Sequence, residues 1–113
     1  MKKVYLSGPM RGRPDLNAIA FIAAFNHARE RGWAPVDPHR LHQPKPDDIR
    51  SIMRVDIGAL LLCDAILMLE GWRESRGALA EMHLARAVGI EIYDMGAKRA
   101  PDKLPDLTRE KDK

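Results

Sequence analysis

Short apolar runs alternate with segments of helical periodicity over most of the chain. Four of the apolar runs have the length and composition of β-strands, at residues 3–7, 33–36, 65–69 and 90–93. The segments between them carry apolar residues at helical spacing, which predicts helices at residues 16–31, 49–63 and 75–88. The elements follow the order β-α-β-α-β-α-β, which predicts a parallel sheet with right-handed crossovers.

This alternation is typical of the α/β class. We expect a single-domain open parallel sheet of the flavodoxin- or Rossmann-like three-layer kind, with four or five strands and helices on both faces. The chain has 113 residues, which suits one small domain. The predicted domain covers residues 1–95. Residues 96–113 are charged and lack periodicity, so we expect a mobile tail, with room for a docked segment around Leu104–Leu107.

Local signals set the predicted helix boundaries. Asp15 is expected to cap the first helix, and Asp47 or Asp48 the second. Gly32 and Gly89 are expected to end the first and third helices. The buried side of the first helix is predicted to consist of apolar residues, namely Leu16, Ile19, Ala20, Ala23 and Ala24.

Three loops follow the carboxyl ends of predicted strands, at residues 7–14, 37–46 and 70–77. Ligands on open parallel sheets bind at that edge, so we expect these loops to converge on one site. The second loop holds three prolines and is long for a small domain, which is common in pocket walls and lids.

Composition narrows the range of functions. The net charge of +3 is mild and only 5% of residues are aromatic, so a nucleic-acid polymer is not an expected partner. Cys63 is the only cysteine and lies in an apolar run, which indicates a small buried side chain and no disulfide. The apolar runs are too short to span a membrane, and no signal peptide is recognisable, so we expect a cytoplasmic protein.

Two carboxylates interrupt apolar helix faces. Asp56 lies on the stripe formed by Ile49, Met53, Leu60 and Cys63, and Glu81 lies on a similar stripe of the third helix. A carboxylate on a core-facing stripe is unfavourable unless it is paired or protonated. A single one is equally well explained as the edge of the apolar face, but two on neighbouring helices favour a pair. Such a pair, one ionised and one protonated, suits glycosidic-bond chemistry.

A second feature favours anion binding. Ser75 and Gly77 stand at the predicted start of the third helix, where backbone N–H groups and the helix dipole attract phosphate or carboxylate. Arg11 in the first loop could add a bidentate contact, and Arg73 or Arg76 could contribute. A plain N-cap role for Ser75 is compatible with this site.

Other candidate residues have equally ordinary interpretations. Tyr5 is either a core residue or a hydroxyl that orients a carboxylate, and Trp72 either walls a base pocket or shields the helix. His39 and His42 lie in the proline-rich loop without a third ligand at a metal-binding spacing, so we expect no zinc site. We also find no motif for a cofactor.

Several motifs together resemble a known superfamily. They are YLSGPMRG at residues 5–12, Asp56, CDAI at 63–66, and GW-x-x-SRGA-x-x-E at 71–81. This set resembles the nucleoside 2-deoxyribosyltransferase-like superfamily, and within it the small, often phage-encoded DUF4406 branch. The similar enzymes are the nucleoside deoxyribosyltransferases and the 2'-deoxynucleoside 5'-monophosphate N-glycosidases.

The resemblance implies roles for individual residues. Glu81 matches the nucleophile, Asp56 the carboxylate that acts on the leaving base, and Tyr5 a tyrosine that hydrogen-bonds the nucleophile. It places the 5'-phosphate at the helix start and the first loop, which together comprise Ser75, Gly77, Gly8, Pro9, Met10, Arg11 and Gly12. Pro9 stands where the N-glycosidases have a phosphate-binding serine. The tail has no clear counterpart of a serine that a partner subunit contributes in that branch.

The resemblance therefore implies an enzyme that hydrolyses the N-glycosidic bond of (deoxy)nucleoside 5'-monophosphates. Two alternatives stay open, a deoxyribosyltransferase that exchanges bases and a non-catalytic nucleotide-binding or sensing protein. The expected partner is a small-molecule nucleoside or nucleotide, and a homodimer is expected by analogy with the superfamily.

Overall fold

The computed structural model describes residues 1–41, 48–99 and 102–108. Over these residues the chain forms a four-stranded parallel sheet with helices on both faces, which confirms the predicted α/β fold class. The strands are β1 (Lys3–Ser7), β2 (Ala34–Val36), β3 (Ala65–Met68) and β4 (Glu91–Asp94). The helices are α1 (Ala18–Glu30), α2 (Ile49–Leu60) and α3 (Arg76–Val88). Short 3-10 turns occupy Pro14–Asn17, Pro38–Arg40 and Trp72–Glu74.

The strand order is β2-β1-β3-β4. The chain leaves β1 toward one edge of the sheet to form β2 and then crosses back over β1 to form β3. The order of the strands therefore reverses between β1 and β3, and ligands bind open sheets of this kind in the crevice at that point. Pro35 interrupts β2 without harm, because β2 is an edge strand.

Alternation along β1 divides its side chains between two cores. Val4 and Leu6 pack in the core beneath α1, which also contains Phe21. Tyr5 packs in the core beneath α2 and α3. Since side chains on a strand alternate between faces, Ser7 lies on the same face as Tyr5. This face carries the chemistry described below.

The predicted start of the first helix was wrong. Asp15 does not cap α1, because Asp15, Leu16 and Asn17 all have positive φ and Asn17 precedes the first helical residue. The predicted buried face was also largely wrong. The residues that α1 buries are Phe21, Ala24 and Ala28, whereas Leu16, Ile19 and Ala23 are exposed. The helix is oriented so that the large ring of Phe21 is buried, and Leu16 precedes the first residue of α1.

The other helix boundaries follow the sequence more closely. The Asp48 side chain accepts the backbone N–H of Ser51 and caps α2, while Asp47 lies outside the described residues. Helix α2 ends at Leu60, three residues before the predicted end at Cys63. Gly32 and Gly89 adopt positive φ values of 86° and 84° and end α1 and α3 as predicted.

Part of the tail is docked on the domain. Leu104 is only 1% exposed and belongs to the core beneath α1. The Trp33 indole N–H donates to the carbonyl of Pro105 at 2.9 Å, and the N–H of Leu107 donates to Arg31 at 2.8 Å. The predicted docked segment is therefore present. Residues 100–101 and 109–113 lie outside the described part of the chain, and the mobility of the tail stays a prediction.

Candidate active site

A cleft of about 1020 Å³ opens at the carboxyl end of β1. Its walls come from the β1 loop, the 3-10 turn after β2, helix α2 and the start of α3. The cleft brings together nine of the residues that the sequence singled out: Tyr5, Gly8, Pro9, Met10, Arg11, Asp56, Ser75, Gly77 and Glu81. It lies beside the point where the strand order reverses, as expected for this topology.

Glu81 is the buried anchor of the cleft. Its side chain is only 5% exposed, and each carboxylate oxygen accepts one hydroxyl hydrogen bond. The Tyr5 hydroxyl donates to Oε2 at 2.7 Å, and the Ser7 hydroxyl donates to Oε1 at 2.7 Å. Two donors from one rigid strand therefore fix the orientation of this carboxylate.

Local geometry explains why these three residues meet. Tyr5 and Ser7 are two residues apart on β1, so both point to the face that α3 covers. Helix α3 presents Ala78, Met82 and Ala85 to the same core, and Glu81 lies on that side of the helix. Ser7 is a functional candidate that the sequence analysis missed. Its spacing from Tyr5 is the signal that could have identified it.

Asp56 is the second buried carboxylate of the cleft. It is 4% exposed and projects from α2. Its charge and its side-chain hydrogen bond with Tyr5 both raise the pKa of Tyr5, as do the charge and the hydrogen bond of Glu81. The Tyr5 hydroxyl therefore lies within the influence of both acids, which places the two predicted carboxylates at one site.

Burial dominates the ionisation of this group of residues. It raises the pKa of Glu81 to about 7, although the hydrogen bonds from Tyr5 and Ser7 act to lower it and the charge of Asp56 acts to raise it. Burial also raises the pKa of Tyr5 far above its ordinary value, and the charges of Glu81 and Asp56 add to this effect. Tyr5 thus stays protonated and remains a hydrogen-bond donor at any physiological pH.

The raised pKa of Glu81 predicts that ionisation of this side chain lowers the stability of the fold. The carboxyl of Glu81 titrates near 4.5 when unfolded and near 7 when folded, so ionisation opposes folding progressively as the pH rises between these values. At each pH, the free energy of unfolding of Glu81→Gln is compared with that of the native protein. We expect this difference to shift in favour of Glu81→Gln by roughly 3 kcal/mol when the pH is raised from 4 to 8. Urea unfolding at both pH values measures this. Glu70→Gln, at an exposed position, is the control and should show no such gain.

The outer part of the cleft carries cations. Arg11, Arg13 and Arg76 line it, and all three are exposed. The Ser75 hydroxyl accepts the N–H of Ala78 at 3.2 Å and caps α3, so its own hydrogen stays available for donation to a ligand. The bland and the functional interpretations of Ser75 are therefore compatible in the structure.

The glycine of the first loop has a packing reason. A Cβ on Gly8 would lie 2.8 Å from the Cβ of Leu69, so only glycine lets the loop pass this close to the end of β3. Gly12 has a positive φ of 76° at the turn of the same loop and is exposed, and it does not contribute to the cleft lining.

Trp72 lies elsewhere. It lines a second depression of about 540 Å³ beside β4, where its indole N–H donates to Asp94 at 3.3 Å and the Arg73 guanidinium stacks on its ring. The structure therefore separates Trp72 from the carboxylates. Asp64, the residue before β3, accepts the backbone N–H of Lys3 at 2.8 Å.

His39 lines the cleft, whereas His42 lies outside the described residues. Among the residues that the structure describes, no group of three or more histidine, cysteine, aspartate or glutamate side chains is arranged to hold a metal ion. Within the same residues, no helix is long and apolar enough to cross a membrane.

Comparison with known families identifies the chain. A family model described as "Domain of unknown function (DUF4406)" matches residues 2–94. The chain belongs to the DUF4406 family. No curated protein matches its sequence.

Two solved structures show the fold of this DUF4406 domain in other proteins. One is a 2-desoxiribosyltransferase from Leishmania mexicana, with a TM-score of 0.66 and 18% identity over 90% of this chain and 76% of that one. The other is a 2-deoxyribosyltransferase from the psychrotolerant bacterium Bacillus psychrosaccharolyticus. It has a TM-score of 0.64 and 12% identity over 98% of this chain and 91% of that one. The expected likeness to the nucleoside 2-deoxyribosyltransferase-like superfamily is confirmed at the level of the fold.

Proposed function

We propose that this protein is an N-glycosidase that hydrolyses (deoxy)nucleoside 5'-monophosphates, with Glu81 as its nucleophile. The observation that carries this proposal is the buried pair of Glu81 and Asp56 around the Tyr5 hydroxyl, at the inner end of a cleft whose outer part holds three arginines. A nucleotide has the matching polarity, with a reactive sugar carbon at one end and a phosphate at the other.

Each step of the reaction has a residue to perform it. Glu81 attacks C1', the C1'–N bond breaks, and its electrons leave with the base, which Asp56 protonates. A sugar ester on Glu81 results. Water then attacks C1' while Asp56, now a carboxylate, accepts a proton from it, and sugar phosphate is released. Tyr5 and Ser7 hold the Glu81 carboxylate in place in both steps.

Only the ionised form of Glu81 can attack. Because its pKa is about 7, roughly half of the free protein carries this form at neutral pH. The sugar develops positive charge as the bond breaks, and this charge strengthens its attraction to an ionised carboxylate in the transition state. The positive charge on the sugar thus favours the ionised form of Glu81 at the moment when the reaction requires it.

The pH profile tests the role of Ser7. We expect kcat/KM to rise with pH through about 7, the pKa of Glu81. Ser7→Ala removes a hydrogen bond that lowers this pKa, so the rising limb should move to higher pH. Ser51→Ala, exposed on α2, is the control. An unchanged rising limb in Ser7→Ala would show that this limb does not report the ionisation of Glu81.

Arg11 is proposed to bind the 5'-phosphate together with the start of α3. Arg11→Ala should raise KM for a nucleoside monophosphate by about 10- to 100-fold, the effect of losing a charged hydrogen bond, and should leave the unphosphorylated nucleoside unaffected. Steady-state kinetics with both substrates measures the difference, with exposed Arg29→Ala as the control. Equal losses on both substrates would remove Arg11 from phosphate recognition.

The second candidate is a base-exchange transferase, which the fold of the two deoxyribosyltransferases favours. The same ester on Glu81 serves both reactions, and only the second acceptor differs. Incubation with a panel of deoxynucleotides and deoxynucleosides, with and without a free acceptor base, separates them by chromatography. Free base with sugar phosphate supports the hydrolase, and a new nucleoside or nucleotide supports the transferase.

The third interpretation, a non-catalytic nucleotide-binding protein, predicts ligand binding without release of base. Calorimetry with native protein and Glu81→Gln distinguishes it, because tight binding in both without turnover contradicts the enzyme proposal. The homodimer and the cytoplasmic location stay predictions, and light scattering in solution tests the dimer.

A further inference from the structure

Three consecutive residues beside the cleft adopt an unfavourable backbone conformation. Asp15, Leu16 and Asn17 have φ values of 49°, 53° and 63°, in the left-handed region that residues with a side chain adopt at a cost. Such a segment persists only where its surroundings hold it in place. Leu16 lines the cleft, so whatever holds this segment also shapes the cleft wall.

His39 provides a contact from the turn after β2 to this segment. Its ring Nε2 lies 2.8 Å from the carbonyl oxygen of Leu16, and its Nδ1 lies 2.8 Å from Oδ1 of Asp37. The backbone N–H of His39 also donates to Oδ1 of Asp37, and the ring packs edge-on against Phe21 at 4.6 Å. His39 therefore links the left-handed segment to the residue that follows β2, and we call this pair of contacts, to Leu16 and to Asp37, the His39 strap.

Both ring nitrogens face oxygen acceptors. The Leu16 carbonyl can only accept a hydrogen bond, so Nε2 is the donor there. Asp37 already accepts the backbone N–H of His39 through the same oxygen that meets Nδ1. The two ring contacts together use both ring nitrogens. A side chain with a single donor can keep one contact or the other.

The segment is connected to the arginines of the first loop. The Asn17 side-chain amide donates to the backbone carbonyl of Pro9 at 2.9 Å, and the backbone N–H of Leu16 donates to the backbone carbonyl of Arg13 at 3.0 Å. Arg11 lies between these two anchor points, Pro9 and Arg13, and the loop is closed again where the N–H of Arg13 donates to Met10 at 3.3 Å. A contact at Leu16 is thus transmitted to the backbone that carries both guanidinium groups.

We infer that His39 is a positioning residue that determines the preference for phosphorylated substrates, because its contact with Leu16 holds the arginine-bearing loop in place. This inference rests on the proposed function, since it assigns the loop to the 5'-phosphate. His39 acts through Leu16 and does not need to touch the reacting atoms.

Two substitutions separate the strap from ordinary packing. The amide nitrogen of Gln lies near the position of ring Nε2, and that of Asn near the position of Nδ1. His39→Gln therefore retains a donor for Leu16, whereas His39→Asn retains only the contact with Asp37. Both variants lose the ring contact with Phe21, so a merely structural role predicts similar behaviour in the two.

The test combines hydrogen exchange with ligand binding. In His39→Asn we expect backbone exchange over residues 13–17 to accelerate by about tenfold or more, and in His39→Gln to stay near the native rate. KM for a deoxynucleoside 5'-monophosphate should rise about tenfold in His39→Asn alone, with kcat and the kinetics of the unphosphorylated nucleoside little changed. Calorimetry of the same nucleotide with each variant in a Glu81→Gln background gives the binding loss without turnover.

Each outcome decides the inference. Faster exchange and weaker nucleotide binding in His39→Asn only support it. Native exchange in both variants, or equal changes in both, overturns it, and so does faster exchange without weaker binding of the phosphorylated ligand. A protein that releases no base but shows the expected exchange and binding pattern would contradict the proposed hydrolysis while still supporting the positioning role of His39.

Discussion

Glu81→Gln is expected to lower kcat/KM for base release by about 10³-fold or more, the scale of losing the nucleophile of a covalent mechanism. The amide has nearly the same shape as the carboxylate and can still engage one hydroxyl as acceptor and offer its N–H₂ to the other. The fold and the cleft should therefore persist while the attacking oxygen loses its charge. Chromatography of free base gives the rate.

The control for this variant lies in the same cleft. Glu74 is exposed at the end of the 3-10 turn that precedes α3, and Glu74→Gln should retain near-native turnover. Calorimetry should find nucleotide binding by Glu81→Gln close to that of the native protein, since the arginine end of the cleft is untouched. A Glu81→Gln protein that turns over within tenfold of the native rate contradicts the assignment of the nucleophile.

Asp56→Asn is expected to lower kcat/KM for natural nucleotides by about 10²- to 10⁴-fold, the range for general acid catalysis. The amide cannot deliver a proton to the departing base, so the variant should recover most of its kcat/KM, which reports the steps up to base release, on a substrate whose leaving group is stable without a proton. The ratio of the two rates within each protein is its own control. A uniform loss on both substrates would assign Asp56 a structural role.

The apolar pattern of the sequence predicts the sheet well because burial in this fold is simple. β1 and β3 are buried on both faces and read as continuous apolar runs, and the helices between them keep helical periodicity. Asp56 and Glu81 could be recognised as candidates because each interrupts such a stripe. The same physics that makes a buried carboxylate unfavourable makes it visible in the sequence.

The start of α1 could not be predicted because distant residues determine it. Local preference favours Asp15 as a cap, yet the structure places Asp15, Leu16 and Asn17 in a left-handed turn. The contacts that hold this turn come from Pro9 and His39, which lie 8 and 23 residues away in sequence. A propensity argument cannot include such partners.

Side-chain direction accounts for the remaining differences at the site. Ser7 reaches Glu81 because strand alternation places it beside Tyr5, and this follows only once α3 is known to cover that face. Trp72 lies one turn from Ser75 in sequence but contacts Asp94 beside β4. Proximity along the chain was therefore a poor guide to membership of the cleft.

The most direct test of the central claim is a single-turnover reaction with the sugar of a deoxynucleoside 5'-monophosphate labelled, quenched in acid and digested to peptides. We predict that the label is transiently bound to the peptide containing Glu81, that it forms together with free base, and that it decays to sugar phosphate. Base released with the label passing to solution without a protein-bound stage, or with the label on a different residue, would contradict Glu81 as the nucleophile.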